Sequence, residues 1–361
     1  MIHRLVFENL KHRPIRTLLS TFAIGVQVTM ILTLVGLSEG MLGDLAKRSR
    51  GTGADVVVRA PDSSVISFGL NMSEKIVDVV RKMEHVTQAT GAFVHPISGF
   101  DTITGIDAAE FNQLSGGLNY LEGGPFQQED DLVVDRIFAQ QKHLKPGSTF
   151  DFGHKWRITG IVEEGKLSRT FADKRALQSI FAEDGKISVI YLKVDQPANI
   201  NAVVSALQQA LEGYKVYSME EFVSLFTADS VPLLRGFTNV VIFVAAMVGF
   251  LVVFLSMYMA VLERTREIGI LKAMGASPGY IIGILLRETV VLAVVGTVIG
   301  IVMTYGTRAL MIQFAPNMSQ DIVPGWYLPT AAIALVGSLI GAIYPGLKAA
   351  RQDAIEALAY D

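Results

Sequence analysis

The chain has no cysteine among its 361 residues. That excludes a disulfide framework and any cysteine-held zinc cage, so an oxidising compartment is permitted but the fold must be held by its core alone. Metal-ligand spacing is missing too. The six histidines (His3, His12, His85, His95, His143 and His154) never fall into H-E-x-x-H or a comparable pattern. Neither Gly165-Lys166 nor Gly185-Lys186 stands in G-x-x-x-x-G-K-[ST], so there is no loop to cradle a nucleotide phosphate. One stretch, GLSEG at Gly36–Gly40, satisfies G-x-S-x-G, but it ends an apolar run with no strand before it to form a nucleophile elbow. The acidic pairs Asp130-Asp131 and Glu163-Glu164 adjoin expected strands, on which sequence neighbours point to opposite faces and cannot share a substrate. These absences point to a chain that is not an enzyme and binds no metal or cofactor.

Charge is also scarce: 18% of the residues are charged against 50% hydrophobic. The apolar residues are bunched. Four stretches contain no ionisable side chain, Leu18–Leu37, Gly236–Leu262, Thr289–Thr307 and Ile322–Leu347, and each reaches the roughly 18 to 20 residues a helix needs to cross a bilayer. The first is longer than a signal-peptide core and no A-x-A-like site follows it, so it reads as a retained span. The resulting layout is an amphipathic N-terminal helix (1–16, with Ile2, Leu5, Val6 and Leu10 on one face), a first span (17–38), a large outer domain (39–235), a second span (236–262), a short charged helix (263–278), a third span (279–307), a short loop (308–325), a fourth span (326–347) and a C-terminal tail (348–361). The fold class is an α-helical membrane protein, four helices in a one-plus-three arrangement, with a large α+β extracytoplasmic domain inserted between the first two.

Basic residues set the orientation. The N-terminal tail carries Arg4, Lys11, Arg13 and Arg16, the 263–278 stretch carries Arg264, Arg266 and Lys272, and the C-terminal tail carries Lys348 and Arg351, whereas the loop after the third span has only Arg308. Both termini and the charged helix are therefore expected in the cytoplasm. The segment Ser38–Arg235 lies outside and holds 20 basic and 26 acidic residues, a balance without the basic footprint that nucleic acid requires. Within it, Asp55–Ala60 and Lys186 onward read as strands, Thr149–Val162 as a hairpin turning near Gly153, and Asn201 onward as a helix with a glycine stop. The helix from Ser73 is expected to be capped and to turn Ile76, Val79, Val80 and Met83 inward. Two helix-plus-strands units are expected, one from Asp55 to Gly105 resuming at Lys186–Glu221, the other inserted at Asp107–Asp184.

Polar residues inside the spans are few. Gln27 reads as a bond between helices. Arg287 and Glu288 lie about two turns into the third span and read as an anchor at the membrane interface, since an arginine at mid-bilayer costs about 2.5–3.5 kcal/mol on insertion scales. Gly296 with Gly300, and Gly337 with Gly341, have the small-xxx-small spacing of close helix packing. No charged relay crosses the bilayer, which disfavours a transporter with a midplane site. The stretch ERTREIGILKAMGAS (Glu263–Ser277) fits a short helix with Ile268, Leu271 and Met274 on its apolar side and Arg264, Arg266, Glu267 and Lys272 displayed around it. From pattern alone it either docks in a partner's groove or lies on lipid headgroups.

That stretch resembles the signature of permease subunits of the MacB/FtsX/LolC superfamily of ABC transporters, the type VII or mechanotransmission class, in which E-R-x-R-E-I-G-x-x-[KR]-A-x-G-A forms a coupling helix. Three further stretches resemble the family in the same order along the chain: ENLKHRPIRTLLSTFAIGV (Glu8–Val26), LVVDRIFAQQKHLKPGSTFDFGHKWRITGIV (Leu132–Val162) and YPGLKAARQDAIEALAYD (Tyr344–Asp361). Ala354 departs from the pattern, standing where the family usually has proline. The resemblance implies a MacB-like, two-lobed periplasmic domain and a bacterial inner-membrane location. It implies ATP and Mg bound by a separate ATPase present in two copies, because no nucleotide-binding domain precedes the first helix here. It implies a second permease copy or homologue, membrane lipids, and a periplasmic adaptor with an outer-membrane channel as partners. Carried over by motif, Arg264, Arg266, Glu267, Ile268, Gly269, Lys272 and Gly275 would form the ATPase-coupling site, with Arg266 and Glu267 making charged contacts and Gly269 and Gly275 permitting close approach and ending the helix. The implied function is export of a lipid, peptide or drug-like molecule. Lipoprotein or lipid extraction of the Lol type is the alternative, and an FtsX-type regulator of an extracytoplasmic hydrolase a third possibility.

Overall fold

The computed structural model describes residues 14–63, 71–98, 101–315 and 318–352. The amphipathic helix expected over 1–16 and the tail expected over 348–361 lie largely outside these residues. In chain order, α1 (Pro14–Arg50) leads into an α+β region made of β1 (Val56–Arg59), β2 (Met72–Ser73), α2 (Lys75–Arg81), β3 (Val86–Ser98), β4 (Asp101–Ile106), α3 (Ala108–Ser115), β5 (Tyr120–Gly123), β6 (Asp131–Asp135), α4 (Arg136–Lys142), β7 (Thr149–Asp151), β8 (Lys155–Val162), β9 (Thr170–Asp173), α5 (Lys174–Ile180), β10 (Lys186–Ile187), β11 (Val189–Val194), α6 (Ile200–Ala210), β12 (Lys215–Ser218) and α7 (Met219–Ser224). Then come α8 (Pro232–Glu263), α9 (Thr265–Ala273), α10 (Pro278–Phe314) and α11 (Tyr327–Arg351).

Two compact units result. One takes the chain up to Glu39, Leu233–Phe314 and Gln320 onward; the other takes Gly40–Pro232 with Ala315–Ser319. Helix α1 contributes to both. Among the described residues four helices are long and apolar enough to cross a membrane: Pro14–Arg50, Pro232–Glu263, Pro278–Phe314 and Pro324–Arg351. All four outrun the hydropathy limits, α1 and α10 furthest. Helix α1 continues past residue 38 to Arg50, and α10 continues past 307 to Phe314, taking in Arg308. Charge ends an apolar run but does not end a helix: Met41, Leu42, Leu45, Ala46 and Lys47 are good helix formers, and Lys47, Arg48 and Arg50 complement the exposed carbonyls of the last turn.

In the second unit the strands form a ten-stranded sheet in the order β12-β1-β11-β3-β4-β9-β6-β8-β5, with β7 also paired to β8. Most ladders are antiparallel, but β4 with β9 and β6 with β8 run parallel. Two hydrophobic cores lie along this sheet. The first gathers Val56, Val58, Val77, Val80, Ile190, Leu192 and Leu207; the second gathers Phe93, Ile103, Leu132, Phe138, Trp156, Ile158 and Leu177. The boundary between lobes therefore falls within β3, between Ala89 and Phe93, and not at Gly105–Asp107 as the sequence suggests. A 13-residue strand serves both lobes, its first half paired with β11 and its second with β4. Helix α2 also differs from expectation: it starts after Glu74 with no side-chain cap, Val77 and Val80 are its buried residues, and Val79 faces out.

The outer turns of α1 are fixed inside this unit. The Asp44 carboxylate meets Arg169 at 2.9 Å and Arg48 at 3.2 Å, and Leu167 N–H donates to Arg48 O at 2.8 Å. Gly51 packs against Gly165 so closely that a Cβ would lie 1.9 Å from the Gly165 carbonyl oxygen.

Candidate functional site

Helix α9 begins where α8 stops. Arg264, at φ −110° and ψ 18°, breaks the helical path, and the side-chain hydroxyl of Thr265 donates back to Leu262 O at 2.9 Å, so the chain turns within one residue. The far end is a Schellman stop. Gly275 sits at φ +91°, its N–H donates to Lys272 O at 2.9 Å, and Ala276 N–H reaches back to Leu271 O at 3.0 Å. A residue with a Cβ would be strained there.

Between these ends the motif residues divide by face. Arg264, Thr265, Ile268 and Gly269 are buried; Ile268 packs in a small core with Val261, Ile281, Leu285 and Ala349. Arg266, Glu267, Ile270, Ala273 and Met274 are exposed. This corrects two expectations. Arg264 is turned inward instead of displayed, and the expected single apolar side is divided, with Ile268 buried and Met274 72% exposed, because residues three apart drift around a nine-residue helix instead of stacking. Leu271 is half-buried.

Buried charge explains the inward arginine. Glu288 on α10 is fully buried, and its two carboxylate oxygens accept from Arg264 at 3.1 Å and from Arg16 of α1 at 3.2 Å. Arg16 also reaches Glu263, at the end of α8, at 3.5 Å. The expected interface anchor at Arg287 and Glu288 is thus corrected: Arg287 is exposed, but Glu288 points into the bundle and is held by two guanidinium groups. A carboxylate well inside an apolar span needs such a counter-charge, and that requirement was the one signal by which sequence could have found it. At the other end of α9, Lys272 Nζ donates to Ala350 O at 3.0 Å and to Gln352 O, satisfying carbonyls at the end of α11.

The glycines let the helices under this site approach. A Cβ on Gly296 would lie 2.7 Å from Ile24 Cβ, and one on Gly300 would lie 2.6 Å from Gly25 O, so both lie against α1. Gly341 lies against α8, where a Cβ would meet Phe250 O at 2.9 Å, whereas Gly337 has an ordinary 3.8 Å clearance from Ala246 O. Gln27 is buried against Gly249, and its amide nitrogen has no partner among the described residues. Among those residues no group of three or more His, Asp or Glu could hold a metal ion.

Comparison with known proteins gives two family matches: a MacB-like periplasmic core domain over residues 17–210 and an FtsX-like permease C-terminal region over residues 239–354. The chain is similar along 99% of its length to the uncharacterized ABC transporter permease YknZ of Bacillus subtilis, with 25% identity and 98% of that protein covered. It is also 25% identical over 99% of its length to the macrolide export ATP-binding/permease protein MacB of Nitrobacter winogradskyi, spanning 60% of that protein's length.

Proposed function

Because the chain belongs to the family of MacB-like, FtsX-like ABC transporter permeases, we propose that it passes the ATP-driven motion of separate ATPase subunits to its outer domain. In a bacterial inner membrane, with both termini in the cytoplasm and the α+β domain in the periplasm, that motion drives export of a lipid, peptide or drug-like molecule. ATP and Mg are bound by the ATPases. The permease acts with a second copy or homologue on two of them, and with a periplasmic adaptor and outer-membrane channel.

The observation that carries this reading is the division of α9 into two faces. Its inner face, Arg264, Ile268 and Gly269, is built into the bundle, while its outer face sets apolar Ile270 and Met274 beside charged Arg266 and Glu267. An apolar ridge one turn long, flanked by charge, suits a groove on a folded partner. Helix α1 supplies the link outward, since its residues belong in part to the bundle and in part to the outer domain. Nothing polar enough to guide a solute is needed in the spans, because the outer domain does the work on the substrate.

The test has two parts. Mass spectrometry of material purified with this chain from native membranes in mild detergent is expected to show a Walker-A ATPase in stoichiometric amount. Glu267→Arg is then expected to abolish the permease-dependent stimulation of that ATPase while leaving membrane insertion unchanged. Full stimulation in the mutant would sink the assignment of α9 as the coupling element.

A further inference from the structure

We infer that Glu288 is the positioning residue of the coupling element: by clamping Arg264 and Arg16 it makes the start of α9, the near end of α1 and α10 move as one body. The inference rests on the coupling reading above and adds to it the route by which force reaches α1.

The geometry is specific. Glu288 presents one carboxylate oxygen to each guanidinium, and both of its partners are at helix beginnings, Arg16 in the first turn of α1 and Arg264 immediately before α9. Glu263 meets Arg16 from the end of α8, so among the described residues four helices bring two acids and two bases together. The pairing is long-range: residue 288 lies 24 positions from 264 and 272 from 16. A carboxylate with no exposed surface cannot trade these partners for water at low cost, so the three elements stay together unless the pair is removed. One turn further along α1, Ser20 and Ser256 of α8 are hydrogen-bonded through their hydroxyls at 2.5 Å, and Ser20 also donates to Arg16 O at 2.9 Å. This pair reports on the same junction. Beyond it, the glycine-lined contact of α1 with α10 through Gly25, Gly296 and Gly300 carries the rigid connection further along the helix. The Ile268 core already ties α9 to α8, α10 and α11; the clamp adds α1 to what is pushed.

A chain without native cysteine permits a clean test. In Ser20→Cys/Ser256→Cys the two thiols lie within disulfide reach, and oxidation is followed as loss of maleimide labelling in membranes containing the full chain. Adding Glu288→Gln is expected to slow this cross-linking several-fold, because Arg16 and the end of α1 are no longer held. Arg16→Gln, which leaves Arg264 paired with Glu288, serves as the second variant should Glu288→Gln fail to accumulate, and is expected to slow it as well. In the complex with the co-purified ATPase, Glu288→Gln is expected to cut permease-dependent ATP hydrolysis by about 2- to 30-fold, the range of a typical coupling perturbation. Oxidising the engineered pair in that mutant should restore stimulation, and reduction should remove it again. A purely stabilising role would leave a correctly inserted mutant stimulating normally, with no response to the disulfide. An unchanged cross-linking rate in the inserted mutant overturns the clamp. Slowed cross-linking together with an ATPase that ignores even the wild-type chain would keep the clamp and overturn the coupling reading beneath it.

Discussion

The two aspartates that bound β6 make a sharp test of how burial sets charge in the outer domain. Asp135 is buried; it accepts one backbone hydrogen bond, from Phe138 N–H at 2.7 Å, and its second oxygen has no hydrogen-bond partner among the described residues. Burial pushes its carboxyl up to about 6, outweighing that bond and the attraction of Arg169 and Arg48. Asp131 is equally buried, but although burial pulls it upward, the N–H groups of Gln127 and Gln128 and the guanidinium of Arg157 together hold it below the ordinary carboxylate range. The signs follow from linkage. A folded value above the unfolded one means that Asp135 favours the fold when protonated, fully so below pH ~4, and that this contribution is lost as pH rises through about 6. With the ordinary value at 3.8, the difference amounts to about 3 kcal/mol at most, since each unit corresponds to about 1.4 kcal/mol. Asp135→Asn keeps an acceptor for Phe138 N–H and never ionises. It is therefore expected to match the wild type at acid pH and to exceed it by about 1 to 3 kcal/mol at neutral pH, the lower figure allowing for the charge partner lost to Arg169. Asp131→Asn is expected to do the reverse, losing stability at neutral pH with the gap closing as the solution is acidified. The assay is urea unfolding of the full chain in detergent, followed through Trp156 fluorescence in a Trp326→Phe background so that the outer domain is read alone. A difference between Asp135→Asn and wild type that stays constant from pH 4.5 to 8 would refute the reasoning, because it would mean that the ionised carboxylate is paired in the fold.

Further predictions concern packing. Gly300→Leu is expected to cost about 1–3 kcal/mol and lower the melting temperature in detergent, since its Cβ would sit 2.6 Å from Gly25 O and from Val28 Cβ, while Gly306→Leu, with nothing within 4 Å, should leave the melt unchanged. At Gly275, where no neighbour lies within 4 Å but φ is +91°, substitution by alanine is expected to cost only the left-handed strain of about 1–2 kcal/mol, and by valine more, read from the same melt. Trp156→Ala should destabilise the outer domain by about 3–5 kcal/mol, because a fully buried indole that also donates to Phe152 O is removed; far-UV circular dichroism during urea unfolding would record it.

What sequence made legible was whatever a local property determines. The spans are visible because hydrocarbon leaves the backbone no partner but itself, so long charge-free runs have few alternatives to helix. The turn at Gly275 is visible because few residues other than glycine tolerate its φ. The lobe boundary was not, because it falls inside the single strand β3, and only that strand's two partners, β11 and β4, reveal that Ala89 and Phe93 serve different cores. The inward turn of Arg264 was not, because its reason is Glu288, a residue in another helix.

The inward turn of Arg264 changes what a motif match means at α9. In ERTREIGILKAMGAS, Arg264, Ile268, Gly269 and Lys272 are occupied with Glu288, the small core around Val261 and Leu285, and the carbonyls at the end of α11. Such residues are required for the helix to stand where it does, whether or not anything binds it. Among the described residues Arg266, Glu267, Ile270 and Met274 are exposed and outside the bundle cores, which is the chemistry the proposed ATPase contact calls for. The two halves should separate by experiment: charge reversal at Glu267 should spare folding and change only the response of the ATPase, whereas removal of Arg264 strands the Glu288 carboxylate and should weaken the bundle itself.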